Sequence, residues 1–551
     1  MSIVTAPNES ARQGKRRIFI LALLILPLAF LHLSYRTGNG PFEVDSSFYM
    51  QVARFVADGD GLSTRVSLYF NGLNPLPQAY DLYPLWPLLL GYTARLTGLY
   101  FAANYLPQLF YILNLILFYV ITTRLSVRMS GNPVPVFRYG EDVFDAGHLV
   151  VLLFGLNFIF FECTVYPYTE GLAFFTGLAA VLALDLNDRL PVAVWSVGSG
   201  FLAGLSFLAR FQMVVVLLAS VLVLFLAACF HRRFRVGFVL YVSTACLVTL
   251  PWMFHISRVR LQRVKLPEFA QWVQSDSTSA RMFHVIGGLL HAFDPAASDS
   301  YFGSFGAVVF VLPLALIIGV LYQGKARRDA TVLNRSRDPG VWLMASTLVM
   351  AGIASTGALA LYKSAPESRW LYGERHSLPF LFVLCPALVW TLARGGRWFR
   401  LIAITFAVLS ILTGARLIAS WPVPAGEGLA PAEREAMNWL DRHVPSPVVM
   451  TTKAQILSVY SKANFHWTSC RTDPAQTRLM LRALPIEYVL VSGSERDCPF
   501  LRDMGDVLSP ETVFENGGVP LFVLRVRPEA KSPSPHPLPI VFPRSDRFRT
   551  F

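Results

Sequence analysis

Long apolar blocks, separated by short polar connections, constrain this chain more than any other feature of its sequence. The 551 residues are 54% hydrophobic and 15% charged, whereas a soluble domain carries about 25% charged residues. Most blocks approach the roughly 20 residues that an α-helix needs to cross a hydrocarbon core of ~30 Å. Because the backbone polar groups of such a segment must be satisfied within it, the blocks predict membrane-crossing helices.

We predict about eleven spans in an α-helical polytopic membrane protein. The first block, 18–31, follows basic residues at 12–17 and has no cleavage pattern after it. We therefore expect an uncleaved span with residues 1–17 in the cytoplasm. The other predicted spans are 100–120, 149–161, 171–184, 192–209, 211–230, 238–256, 302–322, 341–362, 378–392 and 399–419.

One further apolar block, 85–96, lies between Pro84 and Gly98 and is short for a crossing. If it does not cross, four basic loops face the cytoplasm; if it crosses, all four lie outside, against the positive-inside bias. We therefore predict an interfacial or re-entrant helix on the outer face. The long loop 257–300 also carries basic residues outside, which the bias tolerates. The four loops are Arg124 with Arg128 and Arg138, 231–235, 325–337 and 394–400.

The region after the last span has the pattern of a small α/β domain, residues 431–527, which this topology places outside the cytoplasm. Cys470 and Cys498 lie in it and could pair if it is extracytoplasmic. The tail, 528–551, is rich in Pro and Ser and is predicted to be disordered. The predicted elements are a helix at 431–443, strands at 448–450, 488–491 and 521–526, and a turn at Asn516-Gly517-Gly518.

The polar stretch after the first span contains the candidate for chemistry. Within a transmembrane domain of residues 18–420, the first outer loop is 36–98. Apolar residues follow Asp45 at helical spacing and predict an amphipathic helix on the membrane surface. Asp45 or Ser46 is expected to cap it, where a carboxylate meets the helix dipole. The functional alternative is a carboxylate that meets the head group of a lipid-borne substrate. The apolar residues are Phe48, Val52 and Phe55.

Four short motifs follow in order along the chain, and together they resemble the GT-C superfamily of membrane glycosyltransferases. The nearest branch is the bacterial enzymes similar to protein O-mannosyltransferases and to the lipid A aminoarabinose transferase. The sequence differs from the family's pattern at Ser46, where the family often has a second acid, and at His376, where Tyr or Phe is usual. The motifs are Asp45 with Ala53-Arg54 and Gly59-Asp60-Gly61-Leu62-Ser63, then Tyr83-Pro84-Leu85-Trp86-Pro87, Gly204-Leu205-Ser206-Phe207-Leu208-Ala209-Arg210, and Glu374-Arg375-His376-Ser377-Leu378-Pro379.

The resemblance implies a GT-C-like fold and transfer of a sugar from a polyprenyl-phosphate-linked donor to an acceptor hydroxyl at the outer face. Because that donor carries a good leaving group, the reaction needs a base for the hydroxyl and cations that offset the phosphate charge. An inverting reaction with Asp45 as base is expected, and Glu170 is the candidate second acid. The remaining candidates are for substrate binding: Arg54, Tyr80, Asp81, Arg210, Arg375 and His376.

Each candidate has a plainer interpretation. Glu170 is alternatively a solvated residue at a helix start, Arg210 a snorkelling side chain, and Arg375 with His376 interfacial residues. Arg54 is alternatively part of a solvated face. No cofactor is expected beyond the lipid-linked sugar, and a requirement for a divalent metal stays open.

The sequence also bears on three other classes of function: nucleic-acid binding, transport and scaffolding. The net charge of +13 comes from Lys and Arg at the ends of apolar blocks, which disfavours nucleic-acid binding. A transporter or flippase of a lipid-linked solute would show repeats and charges in mid-span, neither of which is evident. A non-catalytic membrane scaffold is the second alternative. The expected partners are the lipid-linked sugar, a glycan, lipid or protein acceptor, and the lipids of the inner (plasma) membrane.

Overall fold

The computed structural model describes residues 7–35, 44–67, 76–139, 142–261, 343–352, 378, 381–421, 429–468, 470, 472, 474–501, 503–516 and 519–528. The chain forms two compact units. The helical unit comprises Met1–Arg36, Tyr105–Phe254 and Trp272–Val423, and the α/β unit comprises Thr37–Asn104, His255–Gln271 and Pro424–Phe551. The predicted span 302–322 and the predicted disordered tail lie outside the described residues, apart from residue 528, as do the glycines of the predicted turn.

The described helices follow the apolar blocks. In chain order they are α1 (Pro7–Ser34), α2 (Val44–Asp58), α3 (Leu85–Thr97), α4 (Leu99–Ser130), α5 (Ala146–Gly155), α6 (Phe158–Val165), α7 (Glu170–Asp185), α8 (Val192–Ala209), α9 (Val214–Phe230), α10 (Arg232–Leu261), α11 (Leu343–Gly352), α12 (Leu381–Arg394), α13 (Arg397–Ser420), α14 (Pro431–His443), α15 (Ala454–Leu457) and α16 (Pro474–Ala483).

The strands are short and lie mainly in the α/β unit. They are β1 (Ser63–Thr64), β2 (Val66–Ser67), β3 (Gln78–Ala79), β4 (Pro135–Tyr139), β5 (Asp142–Asp145), β6 (Val448–Thr451), β7 (Asn464–Trp467), β8 (Tyr488–Ser492), β9 (Leu508–Phe514) and β10 (Leu521–Val526).

Seven helices in the described part of the chain are long and apolar enough to cross a membrane, or eight if the bent pair α5 and α6 is one span. The described parts of two further predicted spans form the shorter apolar helices α11 and α12. The helical, multi-span character predicted from the sequence is therefore confirmed. The total of eleven stays a prediction, because parts of the predicted spans lie outside the described residues.

The predicted span at 149–161 corresponds to a bent pair of helices: the helix breaks after Gly155 and resumes at Phe158 with a bend of 61°. The side chain of Asn157 accepts a hydrogen bond from the amide of Phe160 at 2.9 Å and so caps the second helix. Asn competes with the helical hydrogen-bond pattern in this way, and it therefore favours a new helix start over continuation.

Helix α3 confirms the short helix predicted at 85–96. Its 13 residues extend over about 20 Å, which is less than the ~30 Å of a hydrocarbon core. Accordingly it is not among the helices long enough to cross.

The C-terminal part of the chain forms a sheet with the strand order β2-β7-β6-β8-β10-β9. The neighbours from β2 to β8 are parallel, and β10 is antiparallel to both β8 and β9. The predicted helix and the three predicted strands are all present. Strands β7 and β9 were not predicted: β7 alternates polar and aromatic residues over only four positions, and β9 contains Pro510, which strands tolerate mainly at a sheet edge. A disulfide joins Cys470 and Cys498, whose Cα atoms are 4.8 Å apart.

The first outer loop contributes the edge strand β2 to this sheet. Val66 lies opposite Phe465 and Ser67 opposite His466, and the amide of Phe465 donates to the carbonyl of Arg65 at 2.7 Å. The sequence analysis did not anticipate this pairing. It joins segments about 400 residues apart into one unit.

Helix α2 is mostly buried in the α/β unit, and its place on the membrane surface stays a prediction. Ten of its 15 residues are buried, including the polar Ser46, Ser47 and Gln51. It packs against α3 and α15. Gly91 of α3 permits the close approach, since a Cβ atom there would lie 2.6 Å from Cβ of Val56.

Candidate active site

Asp45 lies in the first turn of α2, which begins at Val44. It therefore does not occupy the N-cap position, and the predicted cap was wrong. Ser46, the other predicted cap, is also inside the helix and is fully buried. A carboxylate in the first turn nevertheless interacts favourably with the partial positive charge of the helix start. The half-buried Asp45 is the acid of this turn.

A group of aromatic residues lies beside this end of α2. Residues four apart share a helix face, so Tyr49 lies one turn after Asp45. The ring of Tyr49 is 6.5 Å from that of Tyr83, and the ring of Phe48 is 5.8 Å from that of Tyr80. The candidate acid thus shares its helix face with a tyrosine whose neighbours come from the segment before α3.

Tyr80 is fully buried, and its hydroxyl donates to the carbonyl of Tyr83 at 3.3 Å. Burial, and then the proximity of Tyr49, Tyr83 and Asp81, raise the pKa of Tyr80 well above its ordinary value. The phenol is therefore a permanent hydrogen-bond donor at physiological pH.

Two structural features bring Tyr80 and Asp81 to this position. Gly59 and Gly61 adopt φ values of +94° and +75°, a region that L residues with side chains rarely occupy, which explains the Gly-Asp-Gly motif. The chain then pairs β1 with β3, and the amide of Tyr80 donates to the carbonyl of Leu62 at 3.0 Å. Asp81 is also buried, at 3% exposure.

His255 is a neighbour that the sequence analysis missed. Its Nε2 lies 3.2 Å from the carbonyl oxygen of Tyr80, so this nitrogen carries the donated proton. Tyr49 and Tyr83 were missed as well. The four-residue spacing from Asp45 could have indicated Tyr49, whereas no local pattern connects His255 to a residue 175 positions earlier.

Arg54, a predicted substrate-binding residue, has a partner inside the α/β unit. Its Nη1 donates to the carbonyl oxygen of Val459 at 2.8 Å, which links α2 to the segment after α15. Burial, and then the charge of Arg54, lower the pKa of Arg65. The guanidinium of Arg65 lies 4.7 Å from the ring centre of Phe55. The two arginines therefore lie close together along α2.

In the helical unit, two candidates that the sequence analysis treated separately form one ion pair. Nη1 of Arg210 lies 2.7 Å from Oε1 of Glu170, and the side chains are 7% and 1% exposed. The same nitrogen donates to the hydroxyl of Thr169 at 3.1 Å, and Nε of Arg210 donates to Oε1 of Gln212 at 2.6 Å. Neither a solvated Glu170 nor a snorkelling Arg210 fits this geometry.

A second buried acid lies at the opposite end of α7. Asp185 is fully buried and pairs with both Arg124 and Arg128, the latter at 2.7 Å. Part of the predicted cytoplasmic basic loop is therefore neutralised within the protein. Since the partial negative charge of a helix end disfavours an acid, the two arginines explain why Asp185 is tolerated there.

Two predicted substrate-binding residues remain. Arg375 and His376 lie outside the described residues. Within the described part of the chain, no group of three or more His, Cys, Asp or Glu residues is arranged to hold a metal ion.

No protein-family model and no curated protein matches the sequence. Solved structures do match it. One is the archaeal oligosaccharyltransferase AglB from Archaeoglobus fulgidus, in complex with an inhibitory peptide and a dolichol-phosphate, with a TM-score of 0.52 at 11% identity, over 88% of this chain and 71% of that one. Another is a mutant of the arabinofuranosyltransferase AftD from Mycobacteria, with a TM-score of 0.53 at 12% identity, over 91% of this chain and 41% of that one. The chain has the GT-C fold.

The GT-C fold that the motifs implied is thus confirmed, and the protein is a multi-pass membrane protein. The transferase ArnT from Cupriavidus metallidurans, bound to undecaprenyl phosphate, also matches over 94% of this chain and 99% of that one at 16% identity. Its TM-score of 0.43 is too low to support an argument about the GT-C branch.

Proposed function

We propose that the protein is a membrane glycosyltransferase that moves a sugar from a polyprenyl-phosphate-linked donor to an acceptor hydroxyl. The observation that carries the proposal is the position of Asp45, in the first turn of α2 and one turn from Tyr49, within a chain that has the GT-C fold. Likeness in fold alone leaves the chemistry to be argued from the residues.

Asp45 is proposed as the general base of an inverting, single-displacement reaction. Its carboxylate accepts the proton of the acceptor hydroxyl while the acceptor oxygen bonds to the anomeric carbon. The bond from that carbon to the phosphate oxygen breaks, and polyprenyl phosphate leaves with the electron pair. Hydrolysis of an ordinary glycoside needs a second carboxylic acid to protonate its leaving group. A phosphate leaves without one, so a single carboxylate is sufficient here.

The tyrosines beside α2 and the carboxylate of Asp81 are proposed to bind the sugar. Tyr80 positions Tyr83 by donating its phenol proton to the carbonyl of Tyr83, and Tyr49 and Tyr83 offer aromatic rings whose centres are 6.5 Å apart. Aromatic rings present an apolar body with a polar end, which suits the alternating surface of a sugar. Arg54 is proposed to act on this region by holding α2 against the segment at Val459.

Glu170 and Arg210 are proposed to act together on the lipid phosphate. The carboxylate of Glu170 holds the guanidinium of Arg210 at 2.7 Å, and the guanidinium offsets the phosphate charge. In this role Glu170 is a positioning residue and not a second catalytic acid. Arg375 and His376 stay proposed phosphate or sugar contacts on the sequence motif alone.

We also propose that residues 1–17 are cytoplasmic and that the domain 431–527 is extracytoplasmic in the inner (plasma) membrane. The disulfide between Cys470 and Cys498 supports this side, because disulfides persist in oxidising compartments. No cofactor is proposed. Sugar transfer measured with and without a metal chelator decides whether a divalent metal takes part in the reaction.

The test compares membranes that contain the wild-type protein, Asp45→Asn or Asp58→Asn. Asp58 is the exposed acid at the other end of α2 and serves as the matched control. Asp45→Asn should reduce sugar transfer from a polyprenyl-phosphate donor by about 10²–10⁴-fold, the range that a general base contributes, with insertion unchanged. Full transfer by this variant would refute the assignment of Asp45.

The donor sugar and the acceptor follow from mass spectrometry of envelope glycans in cells with and without the protein. A glycan that loses one sugar in the deletion strain supports the proposed transfer and identifies both substrates. Unchanged glycans would instead favour a transporter or flippase of a lipid-linked solute, or a membrane scaffold.

A further inference from the structure

The turn between α12 and α13 carries three arginines that no described carboxylate neutralises. Arg394, Arg397 and Arg400 are all exposed. Among the described residues, Arg394 donates to the backbone carbonyl of Met129 at 3.4 Å, and Arg400 donates to the backbone carbonyls of Ala393 and Gly395. Arg128, near the end of α4, differs in this respect because it pairs with Asp185 at 2.7 Å. The turn is therefore a concentrated positive charge.

An apolar groove lies beside this turn, between α5, α12 and α13. It is shallow and half open, with a cavity volume of about 30 Å³. Its one polar lining residue is Thr391, whose hydroxyl donates to the carbonyl of Ala387 at 2.8 Å and is thereby satisfied. The lining therefore suits hydrocarbon. It consists of Leu153, Leu384, Ala387, Leu388, Thr391, Ala403, Phe406 and Ala407.

The groove begins about one helical turn from the arginines. At a rise of 1.5 Å per residue, Thr391 lies about 4.5 Å along α12 from Arg394, and Ala407 lies about 15 Å along α13 from Arg397. The groove therefore lies next to the arginines along the same two helices, α12 and α13. That arrangement matches a lipid, in which a charged head group continues into acyl chains.

Two tryptophans mark the same end of these helices. Trp390 is 37% exposed and Trp398 is 74% exposed, and the guanidinium of Arg394 lies 5.9 Å from the ring centre of Trp390. Exposed tryptophans are typical of the level at which lipid head groups lie. The three arginines therefore lie beside residues of the kind that mark the head-group level.

We propose that the α12–α13 turn and its groove form a binding site for an anionic phospholipid. The phosphate contacts Arg394, Arg397 and Arg400, and one acyl chain lies along the shallow apolar groove. Basic pockets between membrane helices bind anionic head groups in this manner. The apolar groove favours binding of a lipid over binding of free phosphate. The positive charge of the three arginines favours an anionic lipid over a zwitterionic one.

The test measures lipid retention by native mass spectrometry. The full-length protein is extracted from nanodiscs that contain equal amounts of phosphatidylglycerol and phosphatidylethanolamine with the same acyl chains. The wild type should retain phosphatidylglycerol preferentially. Arg397→Gln should lower that preference about fivefold, the factor that corresponds to about 1 kcal/mol per basic residue near a lipid surface.

A second variant tests the groove without changing any charge. Ala387 is half-buried in the groove, and Ala387→Phe should fill it and lower phosphatidylglycerol retention while all three arginines remain. If that variant does not fold, the exposed Arg397→Gln still tests the site.

The matched control lies at the α9–α10 turn, where Arg232 is exposed and which contributes no residue to the lining of the α5–α12–α13 groove. Arg232→Gln should leave lipid retention unchanged. An equal loss from Arg232→Gln and Arg397→Gln would overturn the proposal, because it would show a general effect of positive charge. Retention of both lipids in equal amounts by the wild type would overturn it as well.

Discussion

Removing one partner of the Glu170–Arg210 ion pair should destabilise the helical unit far more than removing both. In Arg210→Met the guanidinium is lost and the carboxylate of Glu170 stays, at 1% exposure. A buried charge without its partner keeps the cost of desolvation and loses the attraction that offset it. In the double variant Glu170→Gln with Arg210→Met, no charge remains to be desolvated.

The geometry sets the magnitude. At 2.7 Å and an effective dielectric constant of about 20, the attraction between two unit charges is about 6 kcal/mol. Part of this attraction only offsets the desolvation of the two charges. Breaking a buried pair from one side typically costs about 3–5 kcal/mol, whereas replacing both partners by neutral groups is often close to neutral. We therefore expect Arg210→Met to lower the free energy of unfolding by about 4 kcal/mol and the double variant by about 1–2 kcal/mol.

Denaturant-induced unfolding in detergent micelles measures the four members of this double-mutant cycle. Arg189→Met is the matched control, since Arg189 is an exposed arginine of the same unit and its loss should change stability by about 0.5 kcal/mol or less. The single variants should be strongly non-additive. If the double variant loses the sum of the two single losses, the buried ion pair does not stabilise the unit in the way described.

Three further predictions concern the α/β unit. Burial lowers the pKa of His466 from its ordinary 6.5 to about 4. As the pH falls, the unfolded chain therefore takes up the proton first, and about 3 kcal/mol of stability present above pH 6.5 should be lost by pH 4. Hydrogen exchange measured as a function of pH should show this loss in the wild type and not in His466→Gln. Gly91→Ala places a Cβ 2.6 Å from Cβ of Val56 and should destabilise the unit by about 1–3 kcal/mol, whereas Gly198→Ala, with open space around it, should not in the same unfolding assay. Replacing Cys470 and Cys498 by Ser opens a loop of 28 residues and should cost about 3–4 kcal/mol; an unchanged unfolding midpoint after reduction of the wild type would contradict this.

The elements that depend on local pattern were predictable. Apolar blocks of span length predicted α8 and α9 nearly to the residue, because each helix in a membrane must satisfy its own backbone. The helix α14 was predicted at its observed bounds from amphipathic spacing and the proline at its start. The acid at Asp45 and the glycine turn after α2 were likewise evident from neighbouring residues alone.

The pairings between distant segments required the tertiary structure. Nothing local shows that Arg210 meets Glu170 across 40 residues, or that Ser67 pairs with His466 across about 400. The break between α5 and α6 and the burial of α2 were also not evident from the sequence, because periodicity reports which face of a helix is apolar, but not where the helix breaks or what covers that face.

The sequence by itself therefore determined the class of fold, the bounds of helices such as α8 and α14, and the acid proposed as base. Only the tertiary structure decided which partner each charged residue has. Glu170 pairs with Arg210, and Arg54 donates to the carbonyl of Val459. The arginines beside the α12–α13 groove have no carboxylate partner among the described residues. The physical reason is that the cost of a buried charge depends on its partner. Partners are brought together by the fold and not by their spacing in the chain.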